Sequence, residues 1–117
     1  MTSVDKYFGR VYDSKKYTCL HFVRDVWQDY TGKDIGEALA SFFKLDQRRP
    51  NKSHLKSFER ILHPKDPCFV VFSRPRAIIH IGIYIRGRVL HLTERGSEFQ
   101  PIDVVRLGFS DIRFFTC

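Results

Sequence analysis

The sequence predicts an α+β domain in which N-terminal helices pack on one face of an antiparallel sheet of about five strands. In the first half of the chain, up to Leu62, apolar residues recur at helical spacing. From Pro67 onward, short runs of β-branched and aromatic residues are separated by turn residues, and their connections have hairpin length. With 117 residues, of which 43% are hydrophobic, the chain is expected to form one domain, residues 1–117, around one core.

The first main helix is predicted from the spacing i, i+3, i+4, i+7, i+8 and i+11 of its apolar residues, which are Cys19, Phe22, Val23, Val26, Trp27 and Tyr30. Thr18 can cap its N-terminus, and Gly32 stands where a left-handed C-terminal residue is favoured. Residues 3–17 are expected to be an irregular lead-in or a short helix beside it. The anchors of this lead-in are expected to be Tyr7, Phe8 and Tyr12.

Two further helices are predicted before the strands begin. Asp34–Glu37 has the spacing of a capping box, and a helical stripe of Leu39, Phe42 and Phe43 follows it. A third helix is predicted over Ser53–Leu62, with Leu55, Phe58, Ile61 and Leu62 on one side and Pro64 as its stop. The basic residues 47–52 between these helices favour a solvated linker over a phosphate site, because no aromatic residues interleave with the charges.

Strands are expected over Cys68–Phe72, Ala77–Ile85, Val89–Thr93, Phe99–Val105 and Asp111–Phe115. Turns are expected at Ser73–Arg76, Arg86–Gly87 and Glu94–Ser97, and Pro101 would break the fourth strand or confine it to an edge.

The central hairpin is expected to bring two histidines together. A two-residue turn at Arg86–Gly87 would pair Gly82 with His91 and His80 with Thr93. His80, Gly82, Tyr84, Val89, His91 and Thr93 would then share one face, and Ile79, Ile81, Ile83, Ile85, Leu90 and Leu92 the other. The two histidines become diagonal neighbours, and the glycine is expected to leave open space opposite His91.

Cys19 has two interpretations. An unpaired cysteine on the apolar stripe of a helix is most often a small buried hydrophobe. However, the first position of a helix favours thiolate over thiol and can lower the pKa of a cysteine. With His80 as its base and His91 to orient that base, Cys19 would have the partners that a catalytic nucleophile needs. Taken together, the three residues favour the catalytic interpretation.

The net charge of +7 and the pI near 9.6 indicate an anionic partner or environment, which could be nucleic acid, a membrane surface or an acidic cell-wall polymer. Three widely spaced cysteines make neither a disulfide framework nor a zinc site, so no metal or cofactor is expected. The N-terminus lacks the apolar core of a signal peptide, and no apolar run reaches transmembrane length. Synthesis in the cytoplasm is therefore expected, with delivery by other proteins if the chain acts at a cell wall or in a virion.

A cysteine at a helix start, the strand His80-Ile-Gly-Ile-Tyr84 and His91 on the next strand together resemble the NlpC-type cell-wall cysteine peptidases. These are papain-like enzymes with a permuted, minimal core, and the similarity extends to a phage-encoded branch. The resemblance implies that Cys19 is the nucleophile, His80 the base and His91 the third member of the triad. It also implies a tyrosine near the oxyanion site, for which Tyr12 is preferred and Tyr7 is the alternative.

The chain departs from the family pattern around Cys19. The family commonly has Asp before the cysteine and a small pair such as Ser-Gly after it, whereas this chain has Thr18, Leu20 and His21. The Gly-Asp that often begins the histidine strand is replaced by Lys65–Cys68. His21 lies about 200° around the helix from Cys19 and is expected at the surface or on the rim of the site.

The resemblance implies a thiol hydrolase that cleaves an amide bond in peptidoglycan stem peptides, most simply between D-glutamyl and a diamino acid. One alternative is a non-catalytic module of the same fold, such as a phage tail component with tail-protein partners or a wall-binding domain. A thiol acyltransferase or an amidase on a non-peptide substrate would share the triad. A nucleic-acid binder is disfavoured, because only the net charge supports it.

Overall fold

The computed structural model describes residues 5–13, 15–36, 39, 59–74, 77–109 and 111–116. Its elements, in chain order, are a 3-10 turn at Asp5–Tyr7, α1 at Cys19–Thr31, β1 at Glu59–Ile61, β2 at Cys68–Arg74, β3 at Ala77–Ile85, β4 at Arg88–Thr93, β5 at Gly96–Pro101, α2 at Ile102–Arg106 and β6 at Asp111–Thr116. The strands form one antiparallel sheet in the order β1-β6-β2-β3-β4-β5. The predicted α+β class is confirmed, with six strands in place of about five.

Helix α1 begins and ends where its capping residues predict. The Thr18 hydroxyl accepts from the Leu20 amide at 3.3 Å, and the His21 ring accepts from the Thr18 amide at 3.0 Å, so the two residues form a capping box. Gly32 closes the helix with φ 79°, in the left-handed region, and its N–H donates to the Gln28 carbonyl at 2.8 Å. These caps fix Cys19 as the first residue of the helix.

The β3–β4 hairpin has the predicted turn, and the three pairs next to the turn have the predicted register. Arg86 and Gly87 have φ values of 53° and 83°, as a type I′ turn requires at both central positions. The ladder then pairs Ile85 with Arg88, Tyr84 with Val89 and Ile83 with Leu90. Because side chains alternate along each strand, this register assigns the two rows of residues to opposite faces of the sheet.

The two faces of the sheet bury two different clusters. Helix α1 packs on the face that carries the isoleucine row, and Trp27 stacks on Phe69 with ring centroids 4.0 Å apart. The opposite face has its own cluster, made of Cys68, Val70, Phe72, Val89, Val105 and Phe114. Val105 on α2 belongs to this second cluster, so this C-terminal helix packs on the face opposite α1. Leu39, from the second predicted N-terminal helix, lies in the same cluster as α1. The expectation that the N-terminal helices share one face stays a prediction, because most of the second predicted helix lies outside the described residues.

Two predicted elements are wrong in part. The end of the helix predicted over Ser53–Leu62 is strand β1, which pairs with β6, and Leu62 is 82% exposed. The strand predicted over Phe99–Val105 stops at Pro101, and helix α2 follows it. Pro101 precedes the first turn of α2, where a residue without an N–H costs no hydrogen bond, so the proline ends a strand and begins a helix.

The remaining predictions are met to different degrees. Tyr7 is buried as expected, whereas Phe8 is 45% exposed and does not anchor the lead-in.

Strand β2 continues through Ser73–Arg74, where a turn was predicted, and β5 begins at Gly96 inside another predicted turn. Gly36 and Leu39 are helical, and the Leu39 amide donates to the Ile35 carbonyl at 2.9 Å. The rest of that second helix, the loop 47–52 and residues 53–58 lie outside the described residues.

Candidate functional site

A pocket of about 500 Å³ is lined by the N-terminus of α1, the first half of β3 and the turn between β4 and β5. Four of the residues that line it were predicted from the sequence as site residues: Tyr12, Cys19, His80 and His91. The wall is completed by Leu92, Thr93, Glu94, Arg95, Gln100, Val104, Val105, Gly108 and Phe109. Cys19 and His91, which are 72 positions apart in sequence, thus face one cavity.

The two histidines are joined by a short hydrogen bond. His80 Nε2 lies 2.7 Å from His91 Nδ1, and His91 Nε2 lies 3.0 Å from the side-chain oxygen of Gln100. His80 therefore keeps its Nδ1 for another partner. His91 is only 4% exposed, which is unusual for a polar residue unless its ring nitrogens are satisfied, as they are here. The hairpin prediction that these rings meet is confirmed.

A β-bulge precedes His80 in the chain. In the β2–β3 ladder Phe72 pairs with His80 and Ser73 with Ile78, so Ile79 has no partner of its own on β2. Bulges bend a strand and redirect the neighbouring side chains, and they are common beside active sites. The register shift thus lies directly beside His80, whose side chain lines the pocket.

Aromatic rings surround the histidine pair. The His80 ring stacks on Phe109 with an interplanar angle of 3° and centroids 5.9 Å apart, and it lies 5.6 Å from the Phe72 ring. Burial in this wall, together with the neighbouring His91, lowers the pKa of His80 from 6.5 to about 3. Burial likewise lowers the pKa of His91. Both rings are therefore neutral at pH 7.

The thiol of Cys19 is directed toward backbone amides. The amides of Ile81, Leu20 and Cys19 itself donate toward the sulfur and favour the thiolate. Burial acts in the opposite direction and is the stronger effect, so the pKa of Cys19 is raised above its ordinary value. The expectation that the helix N-terminus lowers this pKa is wrong for the resting site, because the buried position disfavours the charge more than the helix end favours it.

Among the hydrogen bonds of the described residues, none joins the Cys19 thiol to the His80 ring. Cys19 and His80 line the same pocket, and the backbone amide of Ile81, the residue that follows His80, favours the Cys19 thiolate. The resting pair is a neutral thiol and a neutral imidazole. Catalytic hydrogen bonds are often long before substrate binds, so this geometry does not exclude proton transfer between the two groups.

The two candidate tyrosines have different surroundings. Tyr12 lines the pocket, whereas Tyr7 is 1% exposed and its hydroxyl donates to Asp29 at 3.3 Å. Burial raises the pKa of Tyr7 to about 12. Tyr7 therefore anchors the lead-in on α1, and Tyr12 is the one of the two that lines the pocket together with Cys19.

The lead-in is also tied to α1 by a polar network. Arg10 donates to the Tyr17 hydroxyl at 2.7 Å, and Tyr17 donates to Asp25 at 2.8 Å. Asp25 lies on α1 six residues after Cys19, so the network fixes the segment that carries Tyr12 against the helix that carries the thiol.

Gly82 lies against His91 without the open space that the sequence predicts. A Cβ at this position would lie 2.9 Å from Val89 Cγ1 and 3.0 Å from His91 Cβ. Both distances are shorter than side chains tolerate without movement. The glycine therefore allows the His91 side chain to sit close over β3, where its ring reaches His80.

Two residues acquire roles that were not predicted from the sequence. His21, expected at the surface or rim, does not line this pocket, and its ring caps α1 through Thr18. Gln100 was not singled out because its strand pairing was unknown. Once β5 is aligned on β4 in the observed register, with His91 opposite Glu98, Gln100 falls diagonally beside His91. Glu98 and Gln100 are two residues apart on β5 and so share a face of the sheet with His91, and this spacing identifies Gln100.

The described residues contain no group of three His, Cys, Asp or Glu side chains arranged to hold a metal ion. Among the described helices, none is long and apolar enough to span a membrane.

No protein-family model and no curated protein matches this sequence. Among solved structures, the chain is similar to the crystal structure of the NlpC/p60 domain of the peptidoglycan hydrolase SagA, with a TM-score of 0.57 and 19% sequence identity. The superposition covers 96% of this chain and 90% of that domain. The comparison gives no support to the expected phage origin. At this identity the likeness concerns the fold, and it establishes that the chain folds like an NlpC/p60 domain.

Proposed function

We propose that this protein is a cysteine hydrolase that cleaves an amide bond in peptidoglycan stem peptides through a covalent acyl-enzyme. One observation carries the proposal: Cys19, His80 and His91 line one pocket, and the two rings are joined by a 2.7 Å hydrogen bond. The similar fold of a domain from a peptidoglycan hydrolase supports the choice of substrate. The net charge of +7 suits an anionic cell wall.

In the proposed mechanism, Cys19 Sγ attacks the carbonyl carbon of the scissile amide. Nδ1 of His80 takes the thiol proton, because Nε2 of the same ring is occupied by His91. Since the resting groups are neutral, the proton moves as the S–C bond forms, and the imidazolium arises next to the developing oxyanion. The opposite charges of these two groups stabilise each other in the transition state.

The tetrahedral intermediate then collapses to a thioester. His80 gives its proton to the leaving amine, the C–N bond breaks, and Cys19 remains acylated. Water attacks the thioester while His80 again accepts a proton, and the thiol is regenerated as the acid product leaves. The Cys19 amide at the start of α1 and the Tyr12 hydroxyl are proposed to donate to the oxyanion, and removing one such donor typically costs about 2.7–4 kcal/mol of activation free energy.

The test is digestion of purified peptidoglycan and isolated muropeptides, followed by mass analysis of the products. Cys19→Ala and His80→Ala are each expected to abolish cleavage while the circular dichroism spectrum stays unchanged. Two variants serve as matched controls: Cys68→Ala removes a cysteine that is buried outside the pocket, and His63→Ala removes an exposed histidine. Full activity of both Cys19→Ala and His80→Ala would overturn the proposal.

A non-catalytic binding module is the second candidate, and one observation favours it. The pKa of Cys19 is raised and no hydrogen bond joins its thiol to His80, so the resting thiol is not activated. Alkylation by iodoacetamide at neutral pH separates the candidates, measured at Cys19 by peptide mapping in the presence and absence of muropeptide. A hydrolase is expected to carry a muropeptide-derived acyl group on Cys19, which blocks labelling while muropeptide is present. A pure binding module is expected to bind the wall and keep a slow thiol under both conditions.

A further inference from the structure

We propose that Gln100 is a positioning residue that fixes the tautomers of both histidine rings and so leaves His80 Nδ1 free to accept a proton. The inference rests on the function proposed above. The observation behind it is the chain of contacts that runs from Gln100 through His91 to His80 and ends at the pocket that Cys19 also lines.

The first step concerns Gln100 and His91. A side-chain amide oxygen has lone pairs and no proton, so it only accepts hydrogen bonds. At 3.0 Å from the Gln100 oxygen, His91 Nε2 must therefore carry the hydrogen. His91 is buried, and burial keeps its ring neutral at pH 7. A neutral ring with its hydrogen on Nε2 has a bare lone pair on Nδ1.

The second step passes this constraint to His80. Nδ1 of His91 can only accept, so the 2.7 Å contact requires a hydrogen on His80 Nε2. Since the pKa of His80 lies near 3, this ring is neutral as well, and its Nδ1 has no proton. That nitrogen is the one that must take the thiol proton in the proposed mechanism.

The direction of the Gln100 amide selects between two states of the site. With the amide nitrogen toward His91, the ring of His91 would accept at Nε2 and donate from Nδ1 to His80. The hydrogen of His80 would then sit on Nδ1, and the base would be blocked. A wrongly protonated ring in an otherwise intact triad lowers turnover strongly even when the geometry is preserved.

The neighbouring carboxylate does not compete for this role. Glu98 pairs with His91 in the strand ladder, but its side chain accepts from Thr93 at 2.9 Å and from Arg95 at 3.2 Å. This leaves the Gln100 oxygen as the acceptor that the structure assigns to His91 Nε2.

The decisive experiment is long-range ¹H–¹⁵N NMR of the imidazole rings in protein labelled on histidine, because ¹⁵N shifts distinguish a protonated ring nitrogen from a bare one. In the unchanged protein, hydrogens are expected on Nε2 of both His80 and His91. In Gln100→Leu the acceptor is gone, and both rings are expected to show averaged tautomers. Gln28→Leu makes the same change at an exposed position on α1 and is expected to leave the ring shifts unchanged.

Gln100→Glu is the conservative rescue, because a carboxylate at this position also only accepts. It is expected to restore the Nε2-protonated pattern that Gln100→Leu loses. A hydrogen on His80 Nδ1 in the unchanged protein would overturn the inference, and so would identical ring shifts in the unchanged protein and Gln100→Leu.

Activity gives a second readout. In a stem-peptide cleavage assay, Gln100→Leu is expected to lower kcat by about 10- to 100-fold with little change in KM. Loss of a residue that hydrogen-bonds the far nitrogen of a metal-bound histidine has an effect of this size. Gln100→Glu is expected to retain more activity than Gln100→Leu. If the unchanged protein cleaves no stem peptide, the proposed function fails, whereas the ring spectra still decide the role of Gln100.

Discussion

Acid should weaken the fold through the buried histidine pair. In the unfolded chain the His80 ring is protonated below about pH 6.5. In the folded chain its pKa is lowered to about 3, because the ring is buried against Phe72 and Phe109 and lies next to His91. The unfolded state therefore binds more protons across this interval, and the free energy of unfolding falls as the pH falls. Above pH 6.5 this contribution is fully present.

The magnitude follows from the difference between the two pKa values. Each tenfold change in proton affinity is worth about 1.4 kcal/mol, so acidification from neutral pH to about pH 4.5 removes about 3 kcal/mol through His80. His91, whose pKa is also lowered by burial, adds to the loss in the same direction. For a domain of this size such a loss is a large part of the usual net stability of 5–15 kcal/mol.

Urea denaturation followed by tryptophan fluorescence at several pH values tests this reasoning. His80→Gln is expected to flatten the dependence of stability on pH by about 3 kcal/mol over the interval, whereas His63→Gln, a change at an exposed histidine, is expected to keep the original slope. Carboxylates titrate in both variants, so the difference between the slopes isolates His80. Equal slopes in the two variants, or titration of the His80 ring near pH 6.5 by NMR, would refute the argument.

Three further changes test the packing around the site by urea denaturation followed by circular dichroism. Gly82→Ala is expected to cost about 1–3 kcal/mol, because the added methyl meets Val89 and His91, whereas Gly108→Ala has room and is expected to stay within about 0.5 kcal/mol. Trp27→Ala removes a buried ring stacked on a core phenylalanine and is expected to cost about 3–5 kcal/mol, against little for the exposed Gln28→Ala. Thr18→Ala removes the N-cap of α1 and is expected to cost about 0.5–2 kcal/mol.

Each of these expectations has a clear contrary result. Equal stability of the two glycine variants would mean that β3 and β4 are not as close as the contacts around Gly82 indicate. A Trp27→Ala variant as stable as Gln28→Ala would contradict the packing of α1 on the sheet. A Thr18→Ala variant without loss of stability would show that His21 caps the helix without Thr18.

The parts of the fold that were predictable are those with local signals. Cys19–Thr31 combines a single apolar stripe with a cap residue at each end, and the β3–β4 hairpin combines alternation with a turn that tolerates two positive φ values. In both cases residues close in sequence determine the outcome, so spacing alone was sufficient. The meeting of His80 and His91 followed from the register of that hairpin.

The errors arose where distant parts of the chain decide the structure. Glu59–Ile61 belongs to a helical-looking pattern, and it becomes a strand because β6, more than 50 residues later, offers a free edge. Gln100 could not be identified as a site residue from the sequence, because its place beside His91 depends on the pairing of β5 with β4. The pKa of Cys19 could not be inferred from its helix position, because the burial that raises it comes from the folded pocket.

The two ends of the sheet have a consequence for behaviour at high concentration. Unpaired strand edges can recruit strands from other molecules and so begin aggregation. Here β1 has only three residues, and Glu59 and Arg60 are exposed on it. At the other end, β5 stops at Pro101, which has no N–H to offer an incoming strand. Within the described part of the chain, the short charged β1 and the proline that ends β5 both reduce what these edges offer to a strand of another molecule.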